Sequence, residues 1–186
     1  MIAQSMIRRD TSMTASQPQF TDRQIAAALA EERRVHIERD AVQEHPDCVR
    51  IAIAWLDAQT RLARSHIGVY VPLKHMVEGW GGRYLSTLDL MAGARLLGIR
   101  GAYPWLGISR KFVLPDLARL QVIGQALSQP NYCGKHFDYY MRTETGASLR
   151  AEVDVYAEQL AAMGRQVAPE ALARSLKDGR GFGLGY

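Results

Sequence analysis

The sequence predicts a mainly α chain with a small β element, an α+β fold built as a single compact helical domain. Three observations point there. Helix start and stop signals bracket apolar runs, above all Pro46 and Asp47 ahead of one run, and Ser86 ahead of another that ends at Gly98. β-Branched and aromatic residues cluster only in short segments, at 68–71, 109–114 and 132–141. At 186 residues, 47% hydrophobic and 23% charged, the chain can fill one core and has an ordinary globular composition.

The first 19 residues are polar, rich in Ser, Thr and Gln, and lack an apolar h-region. They read as a disordered tail and not as a secretory signal. A first helix is expected from Thr21 to about Gln43, with Thr21 as N-cap and Gln24 at the capping-box position. Its apolar stripe (Ile25, Leu29, Val35, Ile37) is broken, and Arg33, Arg34 and Arg39 mix with Glu31, Glu32, Glu38 and Asp40. That pattern suits a solvated amphipathic helix, a charged arm or a homodimer contact.

A second helix should run from Pro46 to about Ala63. Cys48, Val49, Ile51, Ala52, Ile53, Trp55 and Leu56 make it apolar on almost every face, which marks a buried central helix. Residues 66–73 read as extended. Pro72 opens a short helix through Lys74, Val77 and Trp80, stopped by Gly79, Gly81 and Gly82. Ser86 caps the next, which carries Leu88, Leu90, Met91, Ala94 and Leu97 and ends at Gly98. A turn-rich loop follows at 101–107, then a strand over Ile108–Leu114, then a helix from Pro115 with Leu117, Leu120, Val122 and Ile123. Tyr132–Thr143 reads as extended; Leu149–Met163 and Pro169–Leu176 read as helices. The domain is thus expected over 20–177, with a glycine-rich tail at 178–186. Its expected core is Ile51, Ile53, Trp55, Leu56, Val77, Leu88, Met91, Leu97, Leu117 and Leu120.

Charge is unevenly distributed. Between Ile67 and Pro130 stand seven basic residues against three acidic ones, an excess that equals the net charge of +4 of the whole chain. The same segment holds Trp80, Trp105, Tyr70, Tyr84, Tyr103 and Phe112. Cations interleaved with aromatics suit a partner that carries phosphates and bases. No apolar run approaches the ~20 residues that span a bilayer, so no membrane partner is expected. Two cysteines make no disulfide scaffold, and a cytoplasmic setting is the expectation.

Four constellations carry chemistry. Ala94–Ile99 fits an A-x-x-L-G-I pattern and resembles the turn of helix–turn–helix proteins, but Pro104 would break a recognition helix placed directly after it. The alternative pairs Leu73–Trp80 with Ser86–Leu97, so that Arg83 and Arg95 flank a groove and Arg110 and Lys111 form a phosphate-contacting wing. Second, His45 with Cys48 and Cys133 with His136 are two Cys/His pairs of the kind that can bind zinc. Their 84-residue separation is unlike common zinc modules, and no metal or other cofactor is expected. Third, Gly79-Trp80-Gly81-Gly82-Arg83 is either a phosphate nest or a helix stop. Fourth, His136 with Asp138, His75 with Glu78 and His36 with Glu32 are candidate acid–base pairs; the last two have i,i+3 or i,i+4 spacing, so each could share a helix face.

The leading expectation is a non-catalytic accessory or regulatory protein that binds DNA or RNA. Lys74, Arg83, Arg95, Arg100, Arg110 and Lys111 would contact phosphates, and Tyr103 and Trp105 would contact bases. The first alternative is an adaptor or inhibitor that docks an acidic protein through Trp105. The second is a small enzyme with a site near Cys133, His136 and Asp138.

Overall fold

The computed structural model describes residues 19–35, 45–64 and 70–162, together with the backbone but not the side chain of Pro130. The expectations for both tails, the end of the first helix, the start of the 66–73 segment and the Pro169–Leu176 helix lie outside these residues. Among the described residues, five α-helices and four short strands confirm the mainly helical α+β architecture.

Helix α1 (Asp22–Val35) begins as a capping box. Gln24 N donates to Thr21 Oγ1 at 3.3 Å, and Thr21 N donates to Gln24 Oε1 at 2.9 Å. It buries Ile25, Ala28 and Leu29, the apolar stripe legible in the sequence, chiefly against helix α4 (Thr87–Leu96). Ile25 and Leu29 of that stripe are therefore occupied within the chain, whereas Val35, at the end of the described helix, is exposed.

Helix α2 (Pro46–Asp57) is the central helix, with Val49, Ile51, Ala52, Ala54, Trp55 and Leu56 fully buried. His45 caps it by accepting from Asp47 N at 3.1 Å. The helix stops at Asp57 and not near Ala63, because Gln59 makes two bonds to another segment. Its side chain accepts from Val113 N and donates to Val113 O, both at 3.0 Å, and so stands in for a neighbouring strand.

Helix α3 (Leu73–Gly81) ends where Gly82 takes a left-handed φ of +58° and donates to Glu78 O. A Cβ on Gly79 would overlap the Lys135 carbonyl, so this glycine permits a close backbone crossing. The glycine cluster is thus a helix end over which other segments close. Leu127 N donates to Gly81 O and Gln129 N to Gly82 O. The Tyr156 hydroxyl lies within hydrogen-bond distance of Gly79 O and Trp80 O.

Ser86 and Asp89 form a reciprocal capping box at the start of α4. Gly93 lets α4 lie close on Ala52 of α2. Strands β1 (Gly101–Ala102) and β2 (Trp105–Leu106) form a small antiparallel hairpin. Strands β3 (Phe112–Leu114) and β4 (Tyr140–Thr143) pair in parallel. The segment expected as a helix after Pro115 is instead a 3-10 turn over Leu117–Leu120. The chain then turns back to reach the carbonyls at the end of α3. Most of the expected extended stretch 132–143 is likewise turns, with only β4 extended. Helix α5 (Leu149–Ala162) closes the core with Val153, Tyr156 and Leu160.

Of the expected core, only Leu117 is merely half-buried; the rest sits in one continuous cluster. Both core tryptophans have satisfied indoles. Trp55 Nε1 donates to the Tyr140 hydroxyl at 2.7 Å, and Trp80 Nε1 to Pro115 O at 3.0 Å. Burial pushes the Tyr140 phenol pKa far up, which keeps it a neutral acceptor for Trp55 and a donor to Met76 O. Among the described residues no helix is long and apolar enough to cross a membrane.

Candidate nucleic-acid interface

Two buried residues hold the 100–111 segment. Leu106 and Ile108 point into the core at 2% and 3% exposure, which turns Trp105 outward at 44%. The backbone is tied on both sides: Gly107 N donates to Arg100 O at 2.7 Å, and Leu62 N to Gly107 O at 2.8 Å. Ser109 N donates to Thr60 O at 2.8 Å, and Arg61 bridges Ile108 in antiparallel fashion. The Tyr103–Pro104 peptide at the hairpin tip is cis. Tyr103 is half-buried, and its hydroxyl lies 3.4 Å from that of exposed Tyr70.

These pairings assemble one surface from three parts of the chain: residues 58–64, residues 97–111 and β4. Together they carry Arg61, Arg64, Arg100, Arg110, Lys111 and Arg142, and they contain no Asp or Glu. Arg142 joins through the β3–β4 pairing, opposite Val113, and its Nη2 reaches Thr60 Oγ1 at 3.4 Å. Arg61 Nη1 donates to Leu97 O at 2.8 Å, while its Nη2 lies 3.3 Å from Asp57 at the margin of the surface. Arg100 and Lys111 are exposed and have no carboxylate partner among the described residues.

The expected site residues therefore divide. Arg100, Tyr103, Trp105, Arg110 and Lys111 share the 100–111 segment, where Arg100, Trp105 and Lys111 are exposed and Tyr103 and Arg110 half-buried. Lys74 is not among them: it is 9% exposed, its Nζ lies 3.1 Å from Glu78, and it sits over the Tyr84 ring. Arg95 reaches across to buried Glu32 of α1. Arg83 lies at the α3–α4 turn beside Cys48 and donates to Ser128 at 3.0 Å. The helix–turn–helix geometry also does not arise. Residues 88–94 of α4 are buried between α1 and α2, so α4 has no open face to enter a groove.

Arg61, Arg64, Arg142 and Tyr70 were not legible as site residues. Their membership depends on contacts between 61 and 108, 113 and 142, and 70 and 103. Composition along the chain carries no local trace of these. The one available signal was the absence of acids from 58–64 and from 97–111.

The Cys/His pairs do not converge. His45 caps α2; Cys48 is buried and donates to Tyr84 O, and burial pushes its thiol pKa up. Cys133 is buried against Gly82, at the C-terminal end of α3, whereas His136 stacks on His75 near its start. About ten ångströms of helix axis separate residues 75 and 82. Cys133 and His136 thus lie against opposite ends of α3, with Asp138 near enough to His136 to act on its ionisation. Among the described residues no group of three or more His, Cys, Asp or Glu side chains is arranged to hold a metal. Comparison of the chain with protein-family models, with curated proteins and with solved structures gives no match.

Proposed function

We propose that the chain binds single-stranded nucleic acid across the surface made by residues 58–64, 97–111 and 140–142. The observation that carries this reading is the segregation of charge: six cations and no carboxylate lie on segments that also expose Trp105, with exposed Tyr70 beside Tyr103. Phosphates would be neutralised by Arg64, Arg100, Arg110, Lys111 and Arg142. Trp105, with Tyr103 and Tyr70 behind the hairpin tip, offers π-faces on which unpaired bases stack without sequence preference. A single strand is favoured over a duplex because α4 has no free face for groove docking.

The test is equilibrium binding to a labelled single-stranded oligonucleotide and its duplex across a salt series. The logarithm of affinity should fall linearly with log salt by about 0.7 per phosphate contact, with the single strand preferred. Binding that is absent at low salt, or insensitive to salt, would overturn the reading. An acidic protein is the other partner this surface suits. Trp105 would then be its hot spot, exposed enough for truncation to remove binding and leave the fold intact.

A further inference from the structure

The aromatic edge of this surface leads to a second cluster. Tyr103 meets Tyr70, the Tyr70 phenol is close enough to Tyr139 to act on its ionisation, and the Tyr139 ring lies 6.0 Å from that of His136. His136 in turn stacks on His75, with ring centroids 5.7 Å apart and planes at 29°. His75 is held from behind. Its Nδ1 lies 2.7 Å from Glu78 Oε2, and Glu78 is itself fixed, since Oε1 accepts from Leu85 N and Lys74 Nζ, each at 3.1 Å. Glu78 is 2% exposed while the His75 side chain is 48% exposed. A buried carboxylate thus orients a half-exposed imidazole and leaves its Nε2 for other partners.

We propose that His75 and His136 are a catalytic acid–base pair that cleaves RNA. The proposal rests on the single-strand binding just described, because the pair lies where a strand leaving the hairpin along Tyr70 and Tyr139 would pass. Two imidazoles can perform this chemistry when the substrate supplies its own nucleophile, as the ribose 2′-hydroxyl does. His136 takes the 2′-hydroxyl proton while the 2′-oxygen forms a bond to the adjacent phosphorus. The P–O5′ bond breaks, and the departing 5′-oxygen takes a proton from His75. The products carry a 2′,3′-cyclic phosphate and a 5′-hydroxyl, and the two histidines end with their protons exchanged. Exposed Lys135 is near enough to His136 to stabilise charge on the reacting phosphate.

The division of roles follows the surroundings of His136. Burial, then the neighbouring His75 and Lys135, lower its pKa against the opposing pull of Asp138 and Glu78. It is therefore the ring kept neutral and ready to accept a proton, while His75 keeps its carboxylate contact.

The experiment uses the full chain with a labelled single-stranded RNA, the same sequence as DNA, and its 2′-O-methyl form, all with a metal chelator present. Only the RNA should be cut, to cyclic-phosphate ends, with a bell-shaped pH profile. His75→Ala and His136→Asn should each slow cleavage about 100-fold or more and keep the wild-type salt slope of binding. Asn is chosen because residue 136 has a φ of +61°, a conformation that Asn tolerates. Near-UV circular dichroism establishes that each variant is folded; should His136→Asn not fold, His75→Ala decides alone. RNA that is bound but never cut, or cutting unchanged in folded His75→Ala, overturns the catalytic proposal and leaves the binding reading standing. RNA that is not bound at all removes both.

Discussion

The helical side of the molecule and the hairpin side use cations in opposite ways. On the helices, Arg95 reaches Glu32, Arg50 reaches Asp22 and Asp47, Lys74 reaches Glu78, and Arg119 lies between Asp57 and Glu144. Apart from Lys74, whose partner lies one turn on in the same helix, these cations join elements: α1 to α4, α1 to α2, and the 117–120 turn to α2 and to the loop after β4. On the hairpin side the backbone makes the connections, and exposed Arg100 and Lys111 have no carboxylate partner among the described residues. Local charge density in the sequence is therefore a poor guide to a binding surface. Lys74, Arg95 and Arg119 fall in the same basic stretch as Arg100 and Lys111 but are used structurally.

The two tryptophan environments make the sharpest break in this comparison. Trp55→Ala removes a fully buried ring and its hydrogen bond to Tyr140, and should cost about 3–5 kcal/mol, read as a fall in the denaturant midpoint. Trp105→Ala should leave that midpoint within about 0.5 kcal/mol. It should instead weaken single-strand binding by roughly 1–3 kcal/mol. A stability loss at Trp105 comparable to that at Trp55 would move the hairpin tip into the core and remove it from the interface.

The buried pair Lys74–Glu78 comes next. Glu78→Ala leaves a buried ammonium without its carboxylate and should destabilise by about 3–5 kcal/mol. Exposed Arg100→Ala and Lys111→Ala should each stay within about 0.5 kcal/mol of wild type in the same unfolding assay.

A smaller effect appears in acid. Burial alone would raise the Glu144 pKa, but Arg119 and the Asp116 N–H outweigh it and hold the carboxyl below its usual range. A folded-state pKa below the unfolded one gives stability that is present above the unfolded value and is lost as pH falls through the folded one. Thermal unfolding of wild type should therefore lose stability through the acidic carboxylate range, and Glu144→Gln should show a shallower loss there. Identical slopes would mean that the Arg119–Glu144 contact does not persist in solution.

Much of the fold was legible because its signals are local. The Thr21 and Ser86 caps, the first-turn proline at Pro46 and the uniformly apolar α2 are properties of a few adjacent residues, and each formed as those residues dictate. The failures have a common cause in long-range hydrogen bonds. Gln59 leaves α2 for Val113, and Leu127 and Gln129 pull the segment after Pro115 onto the end of α3, where helical propensity cannot hold it. The candidate surface was half legible for the same reason. Residues 100–111 lie together along the chain, but Arg61, Arg64 and Arg142 reach them only through tertiary pairing. The His75–Glu78 spacing was visible; its stacking on His136, 61 positions away, was not.

Under the proposed function, position on the surface built from 58–64, 97–111 and β4, and not net charge, would determine which cations bind nucleic acid. This claim is tested most directly by two double variants that remove the same charge. Arg100→Gln with Lys111→Gln alters the hairpin surface, whereas Arg34→Gln with Arg150→Gln alters exposed helical cations that lie near Glu31 and Asp154. In a salt series with single-stranded RNA, the first should flatten the slope by about 1.4, at about 0.7 per contact, and the second should leave it unchanged. Equal changes in both slopes would contradict the account and reduce the protein's affinity to its overall charge.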